Sequence, residues 1–378
     1  MVEFNKKVAV LKVDDYREEI IRSKVEGVLD KYFSFKELSP QNKKILLKPN
    51  LLLPINFERA VTTHPVFVEA IGKIFKDKGF DVYIADNPSS FLDRESVAYV
   101  YRECGIEDIA KRNNFTLLYP DNSIEVEGVP FSWWINDFII VNLPKVKTHS
   151  LFTLTCATKN LYGCIPGLYK SYLHKLYPKP SQLIEFIIKL PFIVKPYLNI
   201  ADGIISLEGE GPSSSGLPKK TGFIVMGDDV FYTDYVISEI LGVPKYKNIL
   251  IRRVLEKGIL NLDRLELFSE YTNYPIVDNF KLPNYNLLDR IPSYFLKLVS
   301  FLFQFMPKID KIRCKACEKC LSICPKGAIK NIEGVIFIDY SQCILCMCCK
   351  EVCRFDAVRV KKSFLLRMWN KLGRILDK

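Results

Sequence analysis

The first two-thirds of the chain alternate short apolar runs with longer amphipathic stretches. KVAVLKV (7–13) predicts a strand, and DDYREEIIRSKVEGVLDKYF (14–33) carries apolar residues at helical spacing. KKILLKPNLLL (43–53) is a continuous apolar run ending in polar groups, as expected of a strand buried on both faces. HPVFVEAIGKIFKDKGF (64–80) predicts an amphipathic helix closing at Gly79. Further strands are predicted at DVYIADNP (81–88), DFIIVNLPKVKTH (137–149), YLNIADGIISLEGEGP (197–212) and GFIVMGDDV (222–230). The last leads into a helix at FYTDYVISEILG (231–242). This alternation predicts an α/β fold: a mostly parallel sheet with flanking helices.

Polar residues collect where these strands end, the edge at which open α/β sheets bind ligands. LLKPN brings Lys48 and Asn50, VTTHP brings Thr62, Thr63 and His64, and NLPKVKTHS brings Lys145, Lys147, Thr148 and His149. ATKNLYG adds Thr158, Lys159, Asn160 and Gly163. IADG adds Asp202, and EGEGP adds Glu208 and Glu210 beside glycines that let backbone approach a ligand. Any one of the histidines (His64, His149, His174) reads alone as a structural group, and any one lysine as a solvated one. Their concentration at one edge points to a shared site for an anion or a metal. Lys145, Lys147 and Lys159 suit a carboxylate or phosphate as point charges. His149, His64, Asp202 and Glu208 suit a divalent metal or acid–base work. No phosphate loop, GxGxxG, HExxH or GxSxG is present; without the last, serine acyl transfer has no support, and a further metal or nucleotide-type cofactor stays open. GPSSSG (211–216) reads as a flexible loop, and Cys156 and Cys164 as small buried apolar groups.

The cysteines change the picture. CKACEKCLSICP spaces Cys314, Cys317, Cys320 and Cys324 as C-x2-C-x2-C-x3-C, followed by Pro325. CILCMCCKEVC repeats the spacing with Cys343, Cys346, Cys349 and Cys353, and leaves Cys348 out of register. Cys343 minus Cys314 gives a period of 29 residues, an internal duplication. Three closely spaced cysteines wrap one face of an iron–sulfur cubane, while the fourth starts a short helix and reaches the other cluster. The spacing therefore assigns Cys314, Cys317, Cys320 and Cys353 to one [4Fe–4S] cluster. Cys343, Cys346, Cys349 and Cys324 go to a second. A pair of zinc knuckles is the competing assignment, although zinc sites favour two separated cysteine pairs. Cys348 reads as a buried apolar filler, with a reserve ligand or redox thiol as the alternative.

Composition narrows the setting. With 48% apolar residues and no low-complexity tract, the chain should be ordered and globular. The N-terminus lacks a signal-peptide pattern, and no window offers the ~18 uninterrupted apolar residues of a spanning helix. A cytoplasmic location is expected, where dense cysteines mean metal or redox chemistry rather than disulfides. The net charge is +11, and from Pro307 onwards 16 Lys and Arg face 7 Asp and Glu. Thiolates of a metal site would offset part of that excess. The segment 290–306 reads as an apolar connecting helix that packs on the cysteine unit or lies in a membrane interface. The tail KKSFLLRMWNKLGRILDK (361–378) reads as a basic amphipathic helix that covers the core or touches acidic lipid in a peripheral membrane contact.

Residues 310–362 resemble the bacterial-type two-cluster ferredoxins, which implies a pseudo-twofold fold of hairpins and short helices and one-electron transfer at low potential. The family's proline after the eighth cysteine is replaced here by Arg354, a cation that would raise that cluster's potential slightly. KPNLL (48–52), TTHP (62–65), LPKVKTH (143–149), ATKNLYGCIPG (157–167), ADGI (201–204), EGEGP (208–212) and DDVFYTD (228–234) resemble the domain of unknown function numbered 362, over residues 8–245. That family is often fused to a two-cluster ferredoxin and brings fold and context rather than a reaction. Phe231 and Tyr232 stand where smaller residues are usual, which puts the start of one helix in question.

Four segments are expected: an α/β domain (1–245), an apolar connection (246–306), a ferredoxin domain (307–362) and a tail helix (363–378). The expected function is an oxidoreductase in which two [4Fe–4S] clusters exchange single electrons with a soluble donor or acceptor. His149, Lys145, Lys147, Lys159 and Asp202 would act on a small anionic or metal-bound substrate. Lys48, Asn50, His64, Asn160 and Glu208 would bind it. The rival is a non-catalytic electron carrier or assembly protein whose large domain docks a partner. A nucleic-acid partner lacks the interleaved aromatic and basic face it would need.

Overall fold

The computed structural model describes residues 5–33, 43–88, 93–283 and 306–361. The tail helix expected at 363–378 and all but the last residue of the connecting helix at 290–306 lie outside these segments.

The α/β unit is built on one large sheet. Its strands are β1 (Lys6–Lys12), β2 (Lys44–Pro49), β3 (Asp81–Ile84) and β4 (Thr116–Leu117). A separate hairpin, β5 (Ser123–Val126) and β6 (Val129–Ser132), precedes β7 (Ile139–Leu143), β8 (Lys145–His149) and β9 (Thr153–Thr155). The long pair β10 (Leu198–Gly209) and β11 (Gly216–Gly227) and then β12 (Leu265–Ser269) complete the unit. The order is β12-β1-β11-β10-β7-β2-β3-β4, with β8 and β9 continuing beside β10. Pairing is parallel from β10 through β7, β2 and β3 to β4, whereas β11 runs antiparallel to both β10 and β1.

Strand alternation sorts the core into two layers. Leu11, Ile45, Leu47, Ile200 and Met226 point to the helices Glu18–Tyr32, Pro65–Asp77 and Arg94–Glu103. Val10, Leu46, Ala201 and Val225 point to Pro180–Val194, Val230–Ile240 and Ile249–Glu256. The run 137–149, predicted as a strand leaving into a polar loop, is two strands. Pro144 has no N–H to offer the ladder, and the chain steps there from β7 to β8. The helix that opens at Val230 is capped by the Asp229 side chain, and Phe231 and Tyr232 are buried without distorting it.

The cysteine-rich unit repeats itself at the period seen in the sequence. β13 (Met306–Ile309) and β15 (Val335–Ile338) correspond, as do β14 (Ile329–Ile332) and β16 (Val358–Lys361). The short helices Lys319–Ser322 and Cys348–Glu351 correspond in the same way. So does the backbone: Ala316 and Glu318 have left-handed φ, matched by Leu345 and Met347. Asp310 donates its N–H to Ala357 and Asp339 donates to Ala328, each at 2.7 Å, so the two halves interlock.

Ile200 lies fully buried at the centre of the sheet. Ile200→Ala should destabilise the α/β unit by about 2–5 kcal/mol. Chemical denaturation reads this as a lower midpoint; an unchanged midpoint would contradict the layer assignment.

Candidate functional site

Alternation along β8 sets Lys145, Lys147 and His149 on one face of the strand, at the carboxyl edge of the sheet, and all three are buried. Their partners differ. Lys145 Nζ sits 2.8 Å from both Asp202 Oδ2 and the Tyr16 hydroxyl. Lys48 is paired likewise with Asp86, at 2.7 Å. Gly163 lets the Leu161–Cys164 turn close over that pair, since a Cβ there would lie 2.2 Å from Asp86 Oδ1. Lys147 has no carboxylate; it donates to Asn50 Oδ1 at 2.6 Å and to the Val61 carbonyl at 2.8 Å. Burial first, then the charge of Lys159, brings Lys147 down to about 7.

Two connected chambers open on these groups. The lower is lined by Lys145, Lys147, His149, Thr155, Cys156 and Pro212. The upper is lined by Asp86, Asn87, Tyr162, Lys170, Ser171 and His174. Asn50, Leu52, Lys159, Asn160 and Glu351 belong to both. Asn50 and Asn160 are joined at 3.0 Å, and Asn160 is fixed by the Lys48 carbonyl and Asn142. Lys159 spans the junction between the rings of Tyr162 and Phe152, at 5.3 and 5.6 Å. Lys170 is buried, donates to the Asn87 carbonyl and is drawn down to about 8 by desolvation.

Several expected residues do not face the chambers. Asp202 is spent inside the protein: Tyr16, Lys145 and the His64 N–H occupy its oxygens. His64 caps a helix through Nδ1 and stacks on Tyr16 at 3.7 Å. Glu208 holds the Lys281 N–H at 3.0 Å and lies 3.4 Å from Lys219. His64, His149, Asp202 and Glu208 therefore have separate partners and do not converge as ligands of one metal ion would. Lys170, Asn87, Tyr162 and Ser171 were not singled out. Lys170 and His174 stand four apart on the Tyr169–Leu176 helix, a spacing that puts both on one face and could have flagged them.

The wall that closes both chambers comes from the cysteine-rich unit. Cys348, Glu351 and Val352 line the upper chamber with Ile323. Glu351 Oε1 lies 3.0 Å from His149 Nε2. Neither atom completes a well-angled hydrogen bond, so both keep capacity for a ligand. Burial holds His149 near 4 and therefore neutral at pH 7. Burial would raise Glu351, but the His149 contact and the charge of Lys159 keep it well below the usual carboxylate range.

GPSSSG is a docking arm rather than a loose loop. It carries the turn from β10 to β11, and Ser213 and Ser214 are buried. The Ser213 hydroxyl donates to the Lys350 carbonyl at 3.1 Å, Ser214 to the Cys353 carbonyl at 2.8 Å, and Ser215 to Asp356. Lys350 Nζ returns a bond to the Glu210 carbonyl at 2.7 Å. Arg354, which stands where ferredoxins have proline, donates to the Tyr99 hydroxyl at 2.9 Å.

The cysteines fall into two sets. Cys324 of the first run lines an apolar cavity with Cys343, Cys346 and Cys349 of the second, beside Ile329 and Ile338. Cys320 has Cys317, Cys353 and Cys314 as its thiol neighbours. The Ala328 and Ala357 amides donate to Cys324 and Cys353 Sγ at 3.3 and 3.2 Å. An apolar cage of four thiols with N–H donors to sulfur fits an iron–sulfur cluster. Cys348 belongs to both the cysteine cavity and the upper chamber, as a buried wall between them. Cys156 and Cys164 are buried thiols pushed up by desolvation, Cys164 to about 12.

The fold defines an α/β unit joined to an iron–sulfur ferredoxin-type unit. The chain belongs to the family described as Domain of unknown function (DUF362), which matches residues 45–239. It is 28% identical over 288 residues to the thylakoid-associated protein sll1697 of Synechocystis sp., covering 74% of this chain and 88% of that one. It is 30% identical over 111 residues to the uncharacterized ferredoxin MJ0251 of Methanocaldococcus jannaschii, 28% of this chain and 75% of that protein. Subunit PorD of pyruvate synthase from the same organism is 40% identical over 55 residues, 14% of this chain and 64% of the subunit. No solved structure matches. Among the described residues no helix is long and apolar enough to cross a membrane.

Glu351→Ala would leave His149 facing an empty wall and Lys147 and Lys159 without the carboxylate nearest them. Leaving the buried His149 Nε2–H without its neighbour costs about 1–3 kcal/mol. The variant should unfold at lower denaturant; a stability equal to wild type would show that Glu351 is not seated in the α/β unit.

Proposed function

We propose that this protein is an oxidoreductase whose substrate, a small anion, binds in the paired chambers where the two units meet. One observation carries the proposal. The chambers are walled at once by buried, carboxylate-free lysines and by the cysteine-rich helix Cys348–Glu351. An ammonium group buried without a counter-charge is costly, and an anionic ligand relieves that cost. Lys48 and Lys145 already have Asp86 and Asp202, whereas Lys147 and Lys170 have only neutral oxygens.

Two [4Fe–4S] clusters would be held by Cys314, Cys317, Cys320 and Cys353 and by Cys343, Cys346, Cys349 and Cys324. Bound there, they supply single electrons at low potential. The protein's own groups do the rest. Lys147, Lys159 and Lys170 hold the anion, and Asn50 and Asn160 fix Lys147 and the chamber floor. The docking arm and Val352 exclude water. Lys147 Nζ, brought to about 7, can take or give a proton near neutrality.

Anaerobically purified protein should carry an anionic small molecule, detected by mass spectrometry of the released ligand. Lys147→Met should lower its occupancy at least severalfold. Occupancy unchanged in that variant, with altered capture of a protein partner instead, would favour a docking or carrier role. Cys317→Ser should lose cluster absorbance and reductive activity together; unchanged iron content would contradict the ligand assignment.

The pH dependence has a definite sign. Lys147 is charged below its folded value of about 7 and neutral above it. Anion affinity should therefore fall as pH rises through that value, and calorimetric titration at pH 6 and pH 8.5 would show it. Equal affinity at both would remove Lys147 from the anion site.

A further inference from the structure

The two cysteine runs are copies, yet they face different surroundings. The second run is buried against the α/β unit: Cys348, Cys349, Lys350 and Glu351 are all covered. The matching helix of the first run, Lys319–Ser322, buries no residue. Cys317 is exposed, and Ile312, on the same run, stands 92% exposed.

Charge has diverged in step. Residues 308–330 carry seven Lys and Arg against two Asp and Glu, whereas the matching residues 337–359 carry three of each. At the position equivalent to buried Cys348 the first run has Lys319, and at that of buried Glu351 it has Ser322, both exposed. Lys311, Arg313, Lys315 and Lys326 are exposed on the same run.

We infer that this face of the first cysteine run docks an acidic one-electron carrier protein. The inference rests on the iron–sulfur reading above and goes beyond it by naming a surface and the chemistry of its partner. A protruding apolar side chain within a basic rim suits a small transient interface, of the kind that buries less than about 1,200 Å² in electron-transfer encounters. Opposite charge on the carrier would steer the approach and set which run it meets. Each encounter moves one electron: the reduced carrier is oxidised by one and this protein is reduced by one. Single-stranded nucleic acid would need aromatic platforms, and residues 306–330 contain no Phe, Tyr or Trp.

Holoprotein and reduced flavodoxin, an acidic flavin carrier, provide the test. The rate of reduction by flavodoxin should fall as salt is raised. The triple variant Lys311→Glu, Lys315→Glu, Lys326→Glu should lower that rate on the order of tenfold. It should weaken calorimetric binding of oxidised flavodoxin by a similar factor, a readout independent of turnover. Lys31→Glu, on the α/β unit, should change neither. Dithionite, which needs no docking, should bleach wild type and variants alike. A salt-independent rate, or a triple variant as fast as Lys31→Glu, overturns the inference. So does a triple variant that loses binding to anionic vesicles or RNA while keeping its flavodoxin rate. Wild type that dithionite cannot bleach would instead sink the iron–sulfur reading beneath it.

Discussion

The structure depends on where buried positive charge can be tolerated. Five lysines reach the carboxyl edge of the sheet, and each must be neutralised, hydrogen-bonded or stripped of its proton. Lys48 and Lys145 are matched by Asp86 and Asp202 from neighbouring strands. Among the described residues Lys147, Lys159 and Lys170 form no ion pair, and Glu351, a wall residue from the cysteine-rich unit, lines the chambers with them without pairing to any. The two units thus share an electrostatic problem as well as a surface. The serine arm and Lys350 fix the geometry at which that problem is met.

The duplication shows how one motif can do two jobs. Cysteine spacing, left-handed residues and amide-to-sulfur bonds recur from one run to the other, because each is demanded by wrapping a cluster. Residues between the cysteines are not so constrained. In the second run they became Cys348, Lys350, Glu351 and Arg354, each used against the α/β unit. At the matching positions the first run has Lys319, Leu321, Ser322 and Pro325, none of them buried.

Much of this was legible in the sequence. The cysteine spacing announced the paired sets, and strand ends announced Lys145, Lys147, His149, Asn50 and Asn160. Period-two and helical patterns located most of the elements around the sheet. What stayed hidden was pairing in space. Nothing in IADG says that Asp202 is consumed by Tyr16 and Lys145, or in TTHP that His64 caps a helix. GPSSSG looks like a loop in isolation because its hydroxyls find their acceptors 137 or more residues away. Glu351 carries no signal of its own between the cysteines, and only the docked arrangement shows it against His149.

Crystals of the anaerobically prepared protein, measured on both sides of the iron edge, test the central claim most directly. The account predicts two separate iron signals, one among Cys314, Cys317, Cys320 and Cys353 and the other among Cys324, Cys343, Cys346 and Cys349. It also predicts non-protein density between Lys147, Lys159 and Glu351. A zinc signal at the cysteines, or chambers holding only water in protein purified without exchange, would contradict it.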